Sequence, residues 1–306
     1  PHGACTLIRT RALKSSGGYD EDVNAQDGWD LWFKLGGLLS AINVGMPIFY
    51  YRQHTHSLSN NQDRLLNARS KIIRNMATRI KGDYEFSNVA VIPVRESYPG
   101  FDDVPYQKYD GKTLLELALD SASKANNVSS VILASTSQAV LDFSLGLEKE
   151  GRVAAHLRLR REEATSITLK DSLVETLRSA GEFYFNATKR VPDTISFLSL
   201  HAVRRTSHHV EQALNVLRLT QADSVVSVQK EIEPVFTYGE YGLSLFNPGR
   251  FDHLEYDQER LYRFNGGLIC SWWNIIENGQ LIGEKAVPFE MTSKDSFQVK
   301  SPFDLQ

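Results

Sequence analysis

The stretch that most constrains the fold begins with a short apolar run at residues 89–94, Val-Ala-Val-Ile-Pro-Val. A run of this length that is rich in β-branched residues is typical of a strand buried on both faces of a parallel sheet. A polar, turn-rich loop follows, and leucines and alanines then recur at helical spacing over residues 114–122. This order places the loop at the carboxyl end of the strand, where ligands bind in open α/β sheets.

The same alternation continues along the rest of the chain. Strand-like runs occupy residues 131–134, 153–157, 195–200 and 224–228, and helical patterns occupy 140–147, 169–177 and 210–217. Strands and helices in strict alternation favour parallel strands joined by right-handed crossovers. The sequence therefore predicts a three-layer α/β domain with a doubly wound, mostly parallel sheet of the Rossmann-like kind.

Length and composition bound the remaining choices. A chain of 306 residues favours two domains, and a net charge of −3 gives no electrostatic reason to expect nucleic acid or an anionic membrane as a partner. It has no run of about twenty apolar residues, so no transmembrane segment is predicted. Cys5 and Cys270 are isolated in sequence, which suits a reduced, cytoplasmic setting better than a disulfide framework. The chain starts within a pattern, so we expect it to be an excerpt of a longer protein.

The first part of the chain has a different organisation. Residues 4–8 predict a strand, Gly17-Gly18-Tyr19-Asp20 a tight turn, and residues 27–35 a short amphipathic helix with Asp27 as its N-cap. Residues 48–52 are strand-like, and residues 63–80 predict one long helix. We therefore divide the chain into a segment at 1–80, a linker at 81–87 and a domain at 88–306.

The strand, loop and helix that begin the second domain resemble the acylneuraminate cytidylyltransferases, which join an acidic sugar to CMP. The residues in register with that family's opening signature are Pro93, Arg95, Gly100, Gly111, Lys112 and Leu114. The family's phosphate-loop serine and lysine are replaced by Tyr98 and Pro99, and a later Lys-Asn pair becomes Val104-Pro105. The resemblance thus covers the scaffold, whereas the phosphate-binding side chains differ.

The resemblance continues through residue 306 and implies two groups of binding residues. Those that would contact the nucleotide or its phosphates are Arg95, Gly100, Lys112 and Arg205. Those that would contact the sugar are Asn265 and Gly266, within the match of Asn265-Gly266-Gly267-Leu268-Ile269 to the family's Asn-Gly-Ala-Ile-Tyr. Where the family binds Mg²⁺ with two aspartates, this sequence has Gln298 and Lys300, so no metal is predicted for 88–306. A second basic cluster, either a phosphate or sugar contact or a solvated face, consists of Arg158, Arg160 and Arg161.

Residues 1–80 resemble the C-terminal half of a family 2 glycosyltransferase of the GT-A fold. The resemblance rests on Gly17-Gly18-Tyr19-Asp20, on Gln26-Asp27 ahead of a helix, and on Tyr51-Arg52-x-His54. It implies that Asp27 is the base that deprotonates the acceptor hydroxyl and that His54 contacts a metal or diphosphate. Mg²⁺ or Mn²⁺ would then serve the glycosyltransferase, whose nucleotide-binding half lies upstream of residue 1.

Three functions stay open for residues 88–306. The first, which we favour, is a cytidylyltransferase-like domain that is degenerate in catalysis and fused to a glycosyltransferase of surface-glycan biosynthesis. The second is an active nucleotidyltransferase, making a CMP- or NDP-activated sugar, in which Glu96, Asp102 or Asp103 has taken over the metal. The third is a structural or partner-binding module. Expected partners are a nucleotide or nucleotide-sugar and a glycan acceptor, and a homodimer stays open.

Overall fold

The structure is a computed structural model and describes residues 6–36, 40–42, 44–46, 50, 61–79, 86–161, 169–231, 233–247 and 261–306. The chain divides into two compact units, Pro1–Tyr84 and Glu85–Gln306. The predicted strand at 48–52 and His54 lie outside the described residues, apart from the exposed Tyr50. Across the described ranges, no helix has the length and apolar character needed to cross a membrane.

The first unit contains three helices in its described part: α1 (Thr10–Ser15), α2 (Asp27–Leu35) and α3 (Gln62–Arg79). Helix α2 contacts α3, and the buried apolar side chains of the two helices include Leu31, Leu35, Ile72 and Met76. The predicted turn is confirmed, since Gly17 and Gly18 adopt positive φ angles of 84° and 70°, a region in which glycine carries no Cβ penalty.

Two predictions for this unit are wrong. Residues 6–8 form no strand, and Leu7 is fully exposed, so its apolar side chain belongs to no buried sheet. Asp27 is not the N-cap of α2: Gln26 takes that position with a φ of 55°, and Asp27 is the first helical residue. An acidic residue in the first turn still interacts favourably with the helix dipole.

The second unit is built on a seven-stranded sheet, and the predicted fold class is confirmed. Its strands are β1 (Asn88–Val94), β4 (Ser130–Ser135), β5 (Leu157–Arg160), β6 (Thr194–Leu198), β7 (Ser224–Lys230), β10 (Tyr262–Trp272) and β11 (Ala286–Glu290). Their order across the sheet is β11-β7-β10-β6-β1-β4-β5. Strand β10 is antiparallel to both neighbours and the other pairings are parallel, so the amino end of β10 lies at the carboxyl edge of the rest.

The helices of this unit pack against the sheet and bury its apolar side chains. They are α4 (Leu114–Ser123), α5 (Gln138–Lys149), α6 (Leu169–Thr188), α7 (Ser207–Thr220) and α8 (Trp273–Glu277). One core cluster joins β1, β4 and β6 to α6 and includes Val89, Ile132, Leu177, Tyr184 and Ile195. At the α6–α8 contact, a Cβ added to Gly181 would lie 2.1 Å from Trp273 Cζ3, so a larger residue there would have to displace the indole ring.

Two short antiparallel pairs complete the described part: β2 (Lys108–Tyr109) with β3 (Lys112–Thr113), and β8 (Val235–Gly239) with β9 (Gly242–Asn247). Both form separate two-stranded sheets. Phe86 and Ser87, in the stretch predicted as a linker, pack within the second unit: the Ser87 N–H donates to Asp193 Oδ2 at 2.7 Å, and the Phe86 ring lies under the Arg218 guanidinium.

The predicted strand at 153–157 is misplaced, because the observed β5 begins at Leu157. This strand lies at the sheet edge, where Leu157 and Leu159 pack against the core cluster and Arg158 contacts α5. Its Leu-Arg-Leu-Arg alternation fits that position better than the apolar residues before it. Before the strand, His156 Nδ1 lies 3.0 Å from the Ala154 carbonyl oxygen, a local contact outside any ladder.

Candidate functional site

The candidate site is the carboxyl edge of the parallel strands, where β1, β6 and the amino end of β10 meet. Loops after β1 and β6 and the C-terminal segment at residues 296–300 converge there. The convergence follows from topology, because β6 neighbours β1 on one side and β10 on the other. In open α/β sheets this edge is the usual place for ligands.

The loop after β1 is closed by a tight turn at Tyr98-Pro99-Gly100-Phe101. The Tyr98 N–H donates to the Phe101 carbonyl at 2.9 Å, and the Phe101 N–H donates back to the Tyr98 carbonyl at 2.9 Å. Gly100 has a φ of 76°, which with proline before it is the pattern of a type II turn. Phe101 is buried at 2% exposure and anchors the turn to the core. The two N–H groups of the turn therefore bind the turn itself.

Contacts between aromatic rings and backbone join this turn to the loop after β6. The rings of Tyr98 and His201 meet edge to face with their centroids 4.6 Å apart. His201 Nδ1 donates to the Val299 carbonyl at 2.7 Å, and the Val299 N–H donates to the His201 carbonyl at 3.0 Å. Burial, with Lys300 nearby, lowers the pKa of His201, and burial raises the pKa of Tyr98. The neutral His201 thus links the turn to the C-terminal segment.

Arg205 is an internal brace beneath this edge. Its side chain is buried at 4% exposure and donates to the carbonyls of Ser199 at 2.7 Å and Gly267 at 2.8 Å, and to Ser121 Oγ at 3.2 and 3.1 Å. Burial lowers the pKa of Arg205 to about 9. The guanidinium ties α4, the end of β6 and β10 together, which differs from the predicted contact with a phosphate.

The other predicted phosphate residues have different surroundings. Arg95 is exposed at the end of β1, and within the described residues its side chain forms no hydrogen bond or ion pair. Lys112 is also exposed, but its ammonium lies 2.6 Å from Asp120 Oδ2, and this hydrogen bond raises the pKa of Lys112. Of the two cations, Arg95 is therefore the one directed to solvent at the edge. Gly100 contributes the turn and leaves no open phosphate cradle.

The predicted sugar residues lie on a bulge of β10, where the pairing with β7 shifts register between Phe264 and Ile269. The buried Asn265 accepts from Ser227 Oγ at 2.6 Å and donates to Ser296 Oγ at 2.9 Å. Gly266 has a φ of 66°, and a Cβ there would lie 2.5 Å from Gln298 Cδ. The Asn265 side chain is thus occupied by protein groups, and Gln298 covers Gly266.

Gln298 and Lys300 are the residues that replace the two metal-binding aspartates in the resemblance. The Gln298 amide donates to the Asn265 carbonyl, so its nitrogen is held against β10. Lys300 is exposed, and its backbone N–H donates to Asp304 Oδ2 at 2.9 Å. Among the residues that the structure describes, no group of three His, Cys, Asp or Glu side chains has the arrangement to hold a metal ion.

Of the carboxylates that could have substituted, Glu96 is held by neighbouring hydroxyl groups. Glu96 accepts from Ser137 Oγ at 2.7 Å and from the Tyr106 hydroxyl at 3.3 Å. Burial and the neighbouring Glu96 raise the pKa of Tyr106 to about 12, so it stays a donor. Asp102 and Asp103 are exposed. Glu96 thus joins the loop after β1 to the start of α5.

The basic cluster on and directly after β5 is largely structural. Arg158 donates to Ser144 Oγ at 3.0 Å and pairs with Glu148, both on α5. Arg161 contacts Thr176 on α6, and burial lowers its pKa. Arg160 is exposed. Two of the three arginines therefore hold helices to the edge strand.

Sequence reasoning missed the contacts that hold this edge together. His201 and Val299 are almost one hundred residues apart, as the sequence numbering shows, so no local pattern links them. The hydrogen-bonded turn could have been predicted from Pro99 and Gly100 alone, because Pro-Gly is a strong signal for a type II turn.

No protein-family model matches the chain, and no curated protein matches it significantly. Solved structures of similar fold do match. The 4-diphosphocytidyl-2C-methyl-D-erythritol synthase of Anaerococcus prevotii has a TM-score of 0.52 and 14% identity, over 72% of this chain and 93% of its own. A second structure of a 4-diphosphocytidyl-2C-methyl-D-erythritol synthase has a TM-score of 0.51 and 11% identity, over 72% and 95%.

A third match is a CMP:2-keto-3-deoxy-manno-octonic acid synthetase complexed with CTP, with a TM-score of 0.49 and 14% identity over 71% of this chain and 94% of its own. The first two matches span nearly the whole of those proteins, and about the share of this chain that the second unit occupies. At these identities the likeness shows the fold: the second unit has the same α/β fold as the two 4-diphosphocytidyl-2C-methyl-D-erythritol synthases.

Proposed function

We propose that the second unit is a degenerate cytidylyltransferase-like domain that binds a nucleotide or nucleotide-sugar at its carboxyl edge without transferring the cytidylyl group. The observation that carries this proposal is the pairing of Gln298 with the Asn265 carbonyl over Gly266. In the family that the chain resembles, that position holds a metal-binding carboxylate.

The loss of metal ligands follows from the chemistry of the residues present. Magnesium prefers anionic oxygen ligands in octahedral geometry, and a glutamine offers one neutral oxygen while a lysine offers only donors. Transfer to the α-phosphate of CTP needs compensation of the charge that develops on the phosphates, which metal ions commonly supply. Glu96 accepts hydrogen bonds from Ser137 and Tyr106, so it supplies no ready replacement for a metal-binding carboxylate.

The loop after β1, which the resemblance aligns with the family's phosphate loop, supports the same proposal. A loop that cradles phosphates presents several backbone N–H groups to the ligand. Here the N–H groups of Tyr98 and Phe101 bind each other's carbonyls, and the Val104 N–H donates to the Glu96 carbonyl at 3.0 Å. The loop would have to open before it could bind phosphate in that way.

Binding without transfer is supported by the two exposed cations of the edge, Arg95 and Lys300. A guanidinium and an ammonium attract phosphate without a metal ion. Arg95 precedes the turn that contains Tyr98, and Lys300 follows Val299, which is hydrogen-bonded to His201. Both cations are therefore close in sequence to residues of the paired-ring contact. Because their side chains face solvent, they can reorient towards a ligand.

The test is a calorimetric titration of CTP into the whole chain in Mg²⁺ and again in EDTA, followed by a pyrophosphate-release assay with a panel of acidic sugars. We expect binding that tolerates EDTA and no release of pyrophosphate. Arg95→Ala should weaken binding about 10-fold or more, the value of a charge-assisted hydrogen bond. Arg160→Ala removes an exposed arginine from the edge strand β5 and should leave the affinity unchanged.

The alternatives give different results. Robust Mg²⁺-dependent turnover would establish an active nucleotidyltransferase with relocated metal ligands. Failure to bind CTP or any other nucleotide in either buffer would leave a structural or partner-binding module. Equal losses from Arg95→Ala and Arg160→Ala would mean that the binding is nonspecific attraction to positive charge.

For residues 1–80 we propose a glycosyltransferase part in which Asp27 is the catalytic base, acting in the cytoplasm on a surface-glycan acceptor, with Mg²⁺ or Mn²⁺ as its metal. Asp27 is exposed at the first position of α2, whereas Asp30 is buried and lies 2.6 Å from the Lys34 ammonium. Of these two carboxylates, only Asp27 is free to meet a sugar hydroxyl. This exposure supports the role that the resemblance implies.

In the full-length protein, Asp27→Asn should lower sugar transfer by about two to four orders of magnitude, because the amide cannot accept the hydroxyl proton. Glu21→Gln, which neutralises an exposed carboxylate of the same unit, is the matched control and should keep its activity. Unchanged turnover in Asp27→Asn would refute the assignment.

A further inference from the structure

Arg204, in the loop after β6, is held by two aromatic side chains from other segments of the carboxyl edge. Its Nε donates to the hydroxyl of Tyr109, in β2, at 2.9 Å. Its guanidinium carbon lies 5.3 Å from the ring centroid of Phe297 and 5.9 Å from that of Tyr109, distances at which a ring face attracts a cation. The two ring centroids are 5.9 Å apart. These contacts fix the guanidinium plane, and we call Arg204, Tyr109 and Phe297 the Arg204 cluster.

The terminal nitrogens of Arg204 are not used by these contacts. A guanidinium carries five N–H donors in a rigid fork, and the Tyr109 hydroxyl takes only the one on Nε. Nη1 and Nη2 have no hydrogen-bond partner among the residues that the structure describes, and both reach solvent. The side chain as a whole is partly buried, as are Tyr109 and Phe297. The fork is therefore held in place with its outer N–H groups open to a ligand.

The positive charge here also lacks a counter-charge. The next residue, Arg205, is buried and donates to neutral oxygens of Ser199, Gly267 and Ser121. In the described ranges, neither Arg204 nor Arg205 forms an ion pair with an aspartate or glutamate. Charged groups that are withdrawn from water are normally paired, because losing hydration is costly for a charge. A bound anion would supply the missing negative charge.

We propose that the Arg204 cluster is a binding site for an organic oxyanion, a carboxylate or phosphate group on a sugar-sized molecule, which accepts paired hydrogen bonds from Nη1 and Nη2. The planar fork of a guanidinium matches two oxygens of either group. The accessible parts of the Tyr109 and Phe297 rings pack on the C–H groups of the same molecule, as aromatic side chains commonly do in ligand sites. The site uses neither Arg95 nor Lys300, so it goes beyond the nucleotide contact proposed above.

The test is a ligand-detected NMR titration of the whole chain with glucuronate, with glucose 1-phosphate and with glucose. We expect saturable binding of one or both anions and none of glucose, and the tighter anion shows whether a carboxylate or a phosphate is preferred. Arg204→Gln should weaken that binding about 10-fold or more, the value of a charge-assisted hydrogen bond. Arg204→Lys keeps the charge but loses the fork, so it should be weakened nearly as much. Arg160→Gln removes an exposed arginine on β5 and should bind as the wild type does.

A milder variant tests the orientation of the fork. Tyr109→Phe keeps the ring and removes the hydroxyl that accepts from Nε, so the anion should bind several-fold more weakly while circular dichroism shows an unchanged fold. The titrations contain no CTP, so their outcome does not depend on whether the chain binds a nucleotide. The proposal is overturned if neither anion binds, or if glucose binds as tightly as the anions. Binding that is unchanged in Arg204→Gln, or equally weakened in Arg160→Gln, would overturn it as well.

Discussion

His209 should make the second unit lose stability as the pH falls from 7 to 5. This residue is the third of α7, and its Nδ1 accepts a hydrogen bond of 3.0 Å from the Thr206 N–H. Thr206 and His209 together form a capping box, a role that glutamate or glutamine usually fills. Protonation would turn this acceptor into a donor that faces another donor.

The surroundings of the imidazole disfavour its charge. Its side chain is only 15% exposed, and burial, together with His208 and Arg205, lowers the pKa of His209 to about 4. Asp295 Oδ2, at 3.7 Å from Nε2, compensates only in part. The unfolded chain should bind a proton near the usual pKa of 6.5. Between these two values the unfolded state binds more protons, so acidification favours unfolding.

The magnitude follows from the two pKa values. At pH 5 the unfolded histidine is almost fully protonated and the folded one is almost neutral, which costs about 2 kcal/mol relative to pH 7. Towards pH 4 and below, the loss approaches about 3 kcal/mol. Burial also lowers the pKa of His156 and of His201, so the wild-type chain loses more than His209 alone accounts for.

The assay is urea unfolding at pH 7 and pH 5, followed by circular dichroism, for the wild type and for His209→Gln. Glutamine keeps a neutral acceptor for the Thr206 N–H and does not titrate. We expect the two proteins to be similar at pH 7, and the variant to lose about 2 kcal/mol less than the wild type at pH 5. Equal losses in both proteins would refute the argument that His209 stays neutral in the folded state.

Three further predictions concern the buried Arg205, the positions of Gln298 and Lys300, and the packing of α6 on α8. Arg205→Lys should lower the free energy of unfolding in urea by about 2 kcal/mol, since an ammonium cannot reach all the acceptors of the guanidinium. A loss of CTP affinity with unchanged stability in urea would instead identify Arg205 as a phosphate ligand. Gln298→Asp/Lys300→Asp should create a Mn²⁺ site detectable by electron paramagnetic resonance, because carboxylates suit that ion, and a silent spectrum would count against the equivalence of these positions with the metal ligands. Gly181→Ala should cost about 1–3 kcal/mol by overpacking, measured as a drop in melting temperature that Trp273→Leu partly reverses; an unchanged melting temperature would contradict the close α6–α8 contact.

Much of the second unit's fold could be predicted because its inner strands are buried on both faces. The apolar runs at 89–94, 131–134 and 224–228 all lie within observed strands. Strand β5 was misplaced, since none of its residues is fully buried and its sequence therefore lacks a continuous apolar run. Strands β10 and β11 and the β8–β9 hairpin were not anticipated. Glycines and a bulge interrupt β10, so its sequence lacks the regular alternation of apolar and polar residues that predicts a strand.

The sequence by itself determined the α/β class and the position of the loop after β1. Only the tertiary structure decided which groups the predicted site residues contact. Arg205 occurs in sequence as a cation available to a phosphate, but the fold buries it among the carbonyls of Ser199 and Gly267. Those acceptors come from segments that are distant in sequence, and the strand order β10-β6-β1 brings them together. A local pattern records burial and turn chemistry, whereas the partner of a side chain depends on which strands become neighbours.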